Sequence, residues 1–139
     1  MQKTVVDTNV LVSSLIQRGY SYLIINELFI EKKVELCVSK KLIEEYYEVL
    51  NRKKFLRYHD FIAKAKTLPA DIETQAKMFD PKTKVKIIRD LDDNKLLELA
   101  GSCKADFLIT GNTNDFTMRK YKRTKIVTPA EYWENYRPD

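Results

Sequence analysis

The sequence predicts a three-layer α/β/α sandwich built on a mostly parallel central sheet. Three observations point to it. Short apolar, β-branched runs alternate with stretches of helical period along the whole chain. Strands that alternate with helices need crossover connections, which make the strands parallel and lay helices on both faces of the sheet. Only three Gly and four Pro occur among 139 residues, with no linker and no internal repeat. One domain spanning 1–139 is therefore expected.

The elements follow in order. Thr4 to Val6 forms a buried strand that ends at Asp7, and Val10 to Ile16 is helical. Gly19 breaks that helix, and Ser21 caps another reaching about Glu31. Val34 to Val38 alternates as a second strand, after which Ser39 caps a strong helix from Lys40 to Asn51. The stretch from Arg57 to Phe79 reads as one or two helices interrupted near Pro69, since proline removes a helical hydrogen bond. Its apolar stripe of Phe61, Ile62, Ala65 and Leu68 fits a dimer element or an internal contact. Val85 to Ile88 is a third strand, and Asp92 or Asp93 opens a helix to about Lys104. Asp106 to Thr110 and Lys125 to Val127 are the remaining strands. Thr128-Pro129-Ala130-Glu131 is a capping box with proline at the first helical position.

Composition excludes several classes. No run of about 18 apolar residues predicts a membrane span. The first residues meet Asp7 at once and carry no apolar signal region, so a cytoplasmic protein is expected. Cys37 and Cys103 lie in apolar surroundings and read as small core residues, with no spacing that suits zinc. The sole histidine, His59, sits in a polar segment, which disfavours Ser-His-Asp catalysis and zinc hydrolysis. The net charge is +5, and the basic residues gather at Arg52-Lys53-Lys54 and at Arg119-Lys120 with Lys122-Arg123. Such clusters suit a solvated face or a phosphate-contacting surface.

In parallel sheets the chemistry lies beyond the carboxyl ends of the strands. Asp7 follows the first strand, Glu45 lies on the helix after the second, Asp93 follows the third, and Asp115 sits in the loop after the fourth. Each has an ordinary alternative, such as a helix cap or a first-turn acid. Asp93 extends the stripe of Leu96, Leu97 and Ala100, whereas Asn94, Lys95 and Glu98 take the opposite face. Asp92 is nearly as close to that stripe, so spacing leaves both open. Glu45 falls at the edge of its helix's apolar face, Glu44 is intermediate, and Glu48 points away, where it can pair with Arg52. Converging carboxylates repel one another and are tolerated when a cation neutralises them. An all-oxygen set suits a hard ion, Mg2+ or Mn2+.

The same residues resemble a known family. Val5-Val6-Asp7-Thr8-Asn9-Val10-Leu11-Val12 resembles the opening of PIN-domain nucleases, and Ser39-x-x-Leu42-x-x-Glu45 with Val49-Leu50 resembles their second block. Asp90 to Ala100, the run Ala105 to Asn112 with Asp115-Phe116, and Ile126 to Tyr132 resemble the later blocks, all in order. The likeness is to small prokaryotic members, including VapC-like toxins. It implies a PIN-like α/β/α fold and a Mg2+- or Mn2+-dependent endoribonuclease, the toxin of a type II toxin–antitoxin pair. It also implies RNA as substrate, an antitoxin partner and a homodimer. Carried over by motif, the metal-binding and catalytic acids are Asp7, Glu45, Asp93 and Asp115, with Asn9, Thr110 and Asn112 as supporting polar groups. Asn112 stands where many members place Asp, and Asp115 before Phe116 matches the other pattern.

On this basis the expected reaction is metal-assisted phosphodiester hydrolysis with no protein nucleophile. Lys53, Lys54, Arg119 and Lys122 are expected to bind flanking phosphates without regard to sequence. Tyr20, Tyr22 and Tyr121 are further candidates for stacking on bases. The competing reading is a catalytically weak or inactive PIN-fold module that only binds nucleic acid. A receiver-like or phosphatase-like domain is disfavoured, because Asn9 stands where the phosphatases need a second Asp.

Overall fold

The computed structural model describes residues 1–52 and 57–139, and within the latter not the side chains of His59, Asp60, Ile62 and Leu91. The strands are β1 (Lys3–Val6), β2 (Glu35–Ser39), β3 (Lys77–Phe79), β4 (Phe107–Ile109), β5 (Lys120–Tyr121) and β6 (Thr124–Val127). The helices are α1 (Thr8–Ile16), α2 (Tyr20–Leu23), α3 (Lys40–Leu50), α4 (His59–Gln75), α5 (Asn94–Cys103) and α6 (Pro129–Asn135). The strands form one sheet in the order β3-β2-β1-β4-β6-β5. All pairs are parallel except β5 with β6.

The order reverses direction beside β1. Strands β2 and β3 lie to one side of it and β4, β6 and β5 to the other. Right-handed crossovers in opposite directions put helices on opposite faces, which yields the α/β/α sandwich. They also make the gap between the carboxyl ends of β1 and β4 the switch point, where connections diverge and leave a crevice. Val6 pairs with Ile109 at that end, and the Asp7 amide donates to the Ile109 carbonyl at 3.0 Å.

Burial explains why these segments form these elements. Thr4, Val5 and Val6 are all buried, as a central parallel strand covered on both faces demands. In α3 the buried side chains Leu42, Ile43, Tyr46 and Leu50 form one stripe, and the Ser39 hydroxyl caps its start by accepting from the Leu42 amide at 3.2 Å. Such a cap contributes about 1 kcal/mol. Helix α5 lies across β1 to β4 and buries Leu96, Leu97, Leu99 and Ala100 completely or nearly so. At α6 the predicted capping box is made in both directions: Thr128 Oγ1 accepts from the Glu131 amide, and a Glu131 carboxylate oxygen accepts from the Thr128 amide.

Several sequence expectations change. Pro69 does not interrupt the helix; α4 runs continuously with Pro69 inside it and buried, so packing outweighs the lost hydrogen bond. The chain reaches its third strand at Lys77–Phe79, not at Val85–Ile88. Val85 and Ile88 are buried but their amides are satisfied by side chains of α5: Glu98 accepts from Val85, and Asn94 from Ile87 and Ile88. The helix expected to be capped by Ser21 begins at Tyr20 after Gly19 and continues as a π-helical turn over Ile24–Phe29. Strand β5 has no counterpart among the sequence expectations. Phe61 and Ala65 pack inside the chain against Leu50, and Leu68 joins the main core. The two cysteines, remote in sequence, are free and buried; Cys103 Sγ donates to the Ala100 carbonyl, and each thiol shifts the other, Cys37 upward and Cys103 downward.

Candidate active site

Asp7 is the innermost acid. It ends β1 at the switch point and is 7 % exposed. Although it occupies the N-cap position of α1, its side chain makes no capping hydrogen bond. Its carboxylate instead faces β4 and accepts from Thr110 Oγ1 at 2.7 Å, with Asn9 Nδ2 at 3.4 Å. Burial raises the Asp7 carboxyl above the ordinary range; the Thr110 hydroxyl opposes this, and the Glu45 charge reinforces it. Thr110 also accepts from the Asn112 amide at 3.0 Å, while Asn9 accepts from the Gly111 amide at 3.4 Å. The three supporting polar residues thus tie the β1 and β4 loops together around Asp7.

Glu45 reaches the same crevice from the middle of α3. One carboxylate oxygen accepts from the Thr8 hydroxyl, and the other is 2.5 Å from Lys95 Nζ. Glu44 is exposed, and Glu48 pairs with Arg52 at the surface, as its spacing suggests. Helix spacing leaves Asp92 and Asp93 open, and the structure separates them. Asp92 is exposed, whereas Asp93 is partly buried and turns toward the other acids.

Asp90, Asp93 and Asp115 each offer a carboxylate oxygen, and the three oxygens lie within 4.8 Å of one another. Asn112 ties two of them together: its Nδ2 lies 2.9 Å from Asp115 and 3.3 Å from Asp93, and its Oδ1 accepts from the Asp115 amide. The Asp93 carboxyl is pushed up to about 7, first by burial, then by the Asp7 charge, a hydrogen bond with Asp115, and the charges of Asp90 and Asp115. Of the four acids named from sequence, Asp93 and Asp115 sit in the tight trio, Asp7 lies outside it but raises Asp93 through its charge, and Glu45 is linked to Asp7 in the same way. All the donors are carboxylate oxygens, the chemistry that suits a hard divalent cation.

Two residues of the site escape the sequence reading. Asp90 precedes the short 3-10 turn Leu91–Asp93 and is placed by that turn, which no helical or strand period reveals. Lys95 falls, by helical period, on the far face of α5 with Asn94 and Glu98. In the structure Lys95 is half-buried against Glu45, and Asn94 is 2 % exposed, accepting from Ile87 and Ile88 and donating to Ile88.

The basic residues separate. Arg119 lines a cavity of about 280 Å3 with Phe116 and with Thr110 and Asn112, the side chains that bond to Asp7, Asp93 and Asp115. Lys122 lies in the β5–β6 turn, at the amino end of β6 and so at the opposite end of the sheet from Asp7. Lys53 and Lys54 fall outside the described residues, as does the side chain of His59. Tyr20 is engaged with Glu134, Tyr22 lies beneath Arg18, and Tyr121 beneath Lys122.

Fold and site together define an α/β protein with an acid-lined switch point. Residues 3–114 match the PIN domain family, and the chain belongs to it. It is similar to the uncharacterized protein MJ1680 of Methanocaldococcus jannaschii, at 32 % identity over 96 % of this chain and 91 % of the relative. Among solved structures it shares its fold with VapBC2 from Rickettsia felis, crystallised bound to a DNA fragment from their promoter. That likeness has a TM-score of 0.58 at 14 % identity, over 91 % of this chain and 98 % of the other. Among the described residues no helix is long and apolar enough to cross a membrane.

Proposed function

We propose that this chain is a Mg2+- or Mn2+-dependent endoribonuclease and the toxin of a type II toxin–antitoxin pair, formed by a single domain. The observation that carries the proposal is the trio of Asp90, Asp93 and Asp115 at the carboxyl end of the sheet, with the charge of Asp7 acting on Asp93 and that of Glu45 on Asp7. Excess negative charge gathered there is costly unless a cation offsets it. When bound, such an ion lowers the pKa of a bound water and offsets charge on the phosphoryl oxygens. The chain's own groups hold the frame. Thr110 and Asn9 fix Asp7, Thr8 and Lys95 fix Glu45, and Asn112 spans Asp93 and Asp115. Arg119, which shares a cavity with Thr110 and Asn112, would meet a phosphate on one flank. Membership of the PIN family supports a nuclease, and the shared fold with VapBC2 supports an antitoxin partner; a homodimer in a cytoplasmic setting completes the proposal.

Asp7→Asn tests this reading. The amide keeps an oxygen to accept from Thr110, so the variant is expected to fold with unchanged circular dichroism and to lose Mn2+-dependent cleavage of RNA at least about a hundredfold, a few kcal/mol of transition-state stabilisation. Full activity in the variant rejects the assignment. A second reading draws on Asn112, a neutral amide bonded to both Asp93 and Asp115 where a further carboxylate would strengthen the site. On that reading the chain is a PIN-fold module that binds nucleic acid without cutting it, and the wild-type protein leaves RNA intact at every Mn2+ concentration.

A further inference from the structure

Beside the acid cluster, beyond the carboxyl ends of β2 and β3, lies a groove of about 410 Å3. Its size is within the range of small-ligand sites, about 300–1,000 Å3. Ser39, Lys40 and Lys41 at the start of α3 form one wall, with Lys84 and Lys95 also lining it. Its floor is apolar: Phe79 is half-buried, Met78 is 53 % exposed, and Pro81 follows.

The charges in the groove are unequally committed. Of its two acids, Asp80 is held by Lys82 at 2.6 Å, and Glu98 accepts from the Val85 amide at 2.9 Å. Lys95 is held by Glu45. Lys40, Lys41 and Lys84 have no ion-pair partner among the described residues and are exposed. The groove therefore presents uncommitted ammonium groups around an apolar floor. Lys95 makes it continuous with the acids, since the same side chain lines the groove and touches Glu45.

We propose that this groove seats the nucleotide of a single-stranded RNA next to the scissile phosphate. Lys40, Lys41 and Lys84 face its phosphates, and Met78 and Phe79 face its base. The inference rests on the ribonuclease reading above and names the path that the strand takes. Ammonium groups on flexible stems bind phosphates independently of sequence, and bases pack on apolar and aromatic side chains in single-strand sites. A peptide of acidic residues alone would match the lysines but brings no ring for the floor.

The test is fluorescence anisotropy of the full chain with a labelled short oligouridylate, in EDTA to prevent cleavage, at several NaCl concentrations. In K40Q/K41Q/K84Q the affinity is expected to fall at least about tenfold at low salt. The slope of log K against log salt is expected to become shallower by about 2, from roughly 0.7 per single-strand phosphate contact. The charge-keeping variant K40R/K41R/K84R should bind as the wild type does, and thermal melts should match for all three proteins. Unchanged affinity and slope in the glutamine variant overturn the proposal. So does a glutamine variant that loses binding to an oligoglutamate peptide while retaining RNA, which would make the groove a protein-docking site. Cleavage with Mn2+ separates the two readings. Wild type that cuts RNA alongside a glutamine variant equal to it in binding and cutting removes the groove alone. Wild type that binds through the groove and never cuts removes the nuclease and leaves the RNA seat standing.

Discussion

Replacing Asp93 by Asn should make the cation-free protein more stable at alkaline pH. The Asp93 carboxyl, ordinarily near 3.8, is raised to about 7 by burial and by the acids around it. A group raised in this way holds its proton more tightly when folded than when unfolded. Its contribution to stability is therefore complete below about 4 and is lost as pH rises through about 7. Taken whole, the shift corresponds to about 4 kcal/mol at about 1.4 kcal/mol per pH unit. Asp93 is only partly buried, so solvent and salt screen the repulsion, and a net cost of about 1–2 kcal/mol is the better expectation. The amide side chain of the Asp93→Asn variant carries no charge at any pH and escapes that cost. In EDTA at pH 8 the variant should melt about 3–7 °C above the wild type. At pH 5 the wild-type carboxyl is already protonated, and the two melting curves should approach each other. A variant equal to or less stable than the wild type at pH 8 would refute the claim that these acids are gathered at a cost to the fold.

Adding the cation should reverse the order. Mn2+ at about a hundred times its dissociation constant should stabilise the wild type by about 2.7 kcal/mol and raise its melting temperature, with a much smaller effect on Asp93→Asn; calorimetric titration that detects no binding to wild type would contradict this. Asn94→Ala should destabilise the fold by at least about 2 kcal/mol in urea denaturation, because it strands the buried Ile88 amide and carbonyl and the Ile87 amide that the side chain satisfies.

The fold was legible wherever one element's period settled its face. The β-branched run before Asp7, the Ser39-capped amphipathic helix and the Thr128 capping box are local signals, and each appears where the pattern puts it. The third strand is displaced for a physical reason. Val85 and Ile88 are buried, so their apolar pattern is real, but side chains of α5 occupy the hydrogen bonds a strand would make. Lys77–Phe79 is an edge strand of three residues, too short for a period to show, with Lys77 and Met78 exposed. Pro69 misleads because a proline's cost is local, whereas the core contacts along α4 are not.

At the site, the acids named from sequence lie on segments that the strand order sends to one end of the sheet, while Asp90, grouped with Asp93 and Asp115, is not among them. The sequence could not rank neighbours within the Asp90–Asp93 run, because a 3-10 turn and a helix start share it and no single period holds across both. The 100° spacing of an isolated helix sends Asn94 and Lys95 to the outer face. That spacing ignores the segment 85–88 packed against the start of α5 and the reach of a lysine stem toward α3. Residues at a helix N-terminus answer to the loops around them as much as to their own period.

The same two helices carry both signs of charge at the crevice. Helix α3 brings Lys40, Lys41 and Glu45, and α5 brings Lys95, two residues after Asp93. A polyanion approaching the acids alone would be repelled, and the chain's net charge of +5 does not by itself change that, because screening confines each charge to roughly 10 Å at moderate salt. What matters is which charges lie within that distance of the acids. Lys95 is in contact with Glu45, and uncommitted lysines line the groove that Lys95 shares, so attraction begins where the repulsion ends. Because α3 holds acid and lysines on one rigid element, the spacing between the metal-suited edge and the phosphate-suited groove is fixed by the fold. A strand bound through the groove would then be held in one register relative to the acids, whatever its sequence.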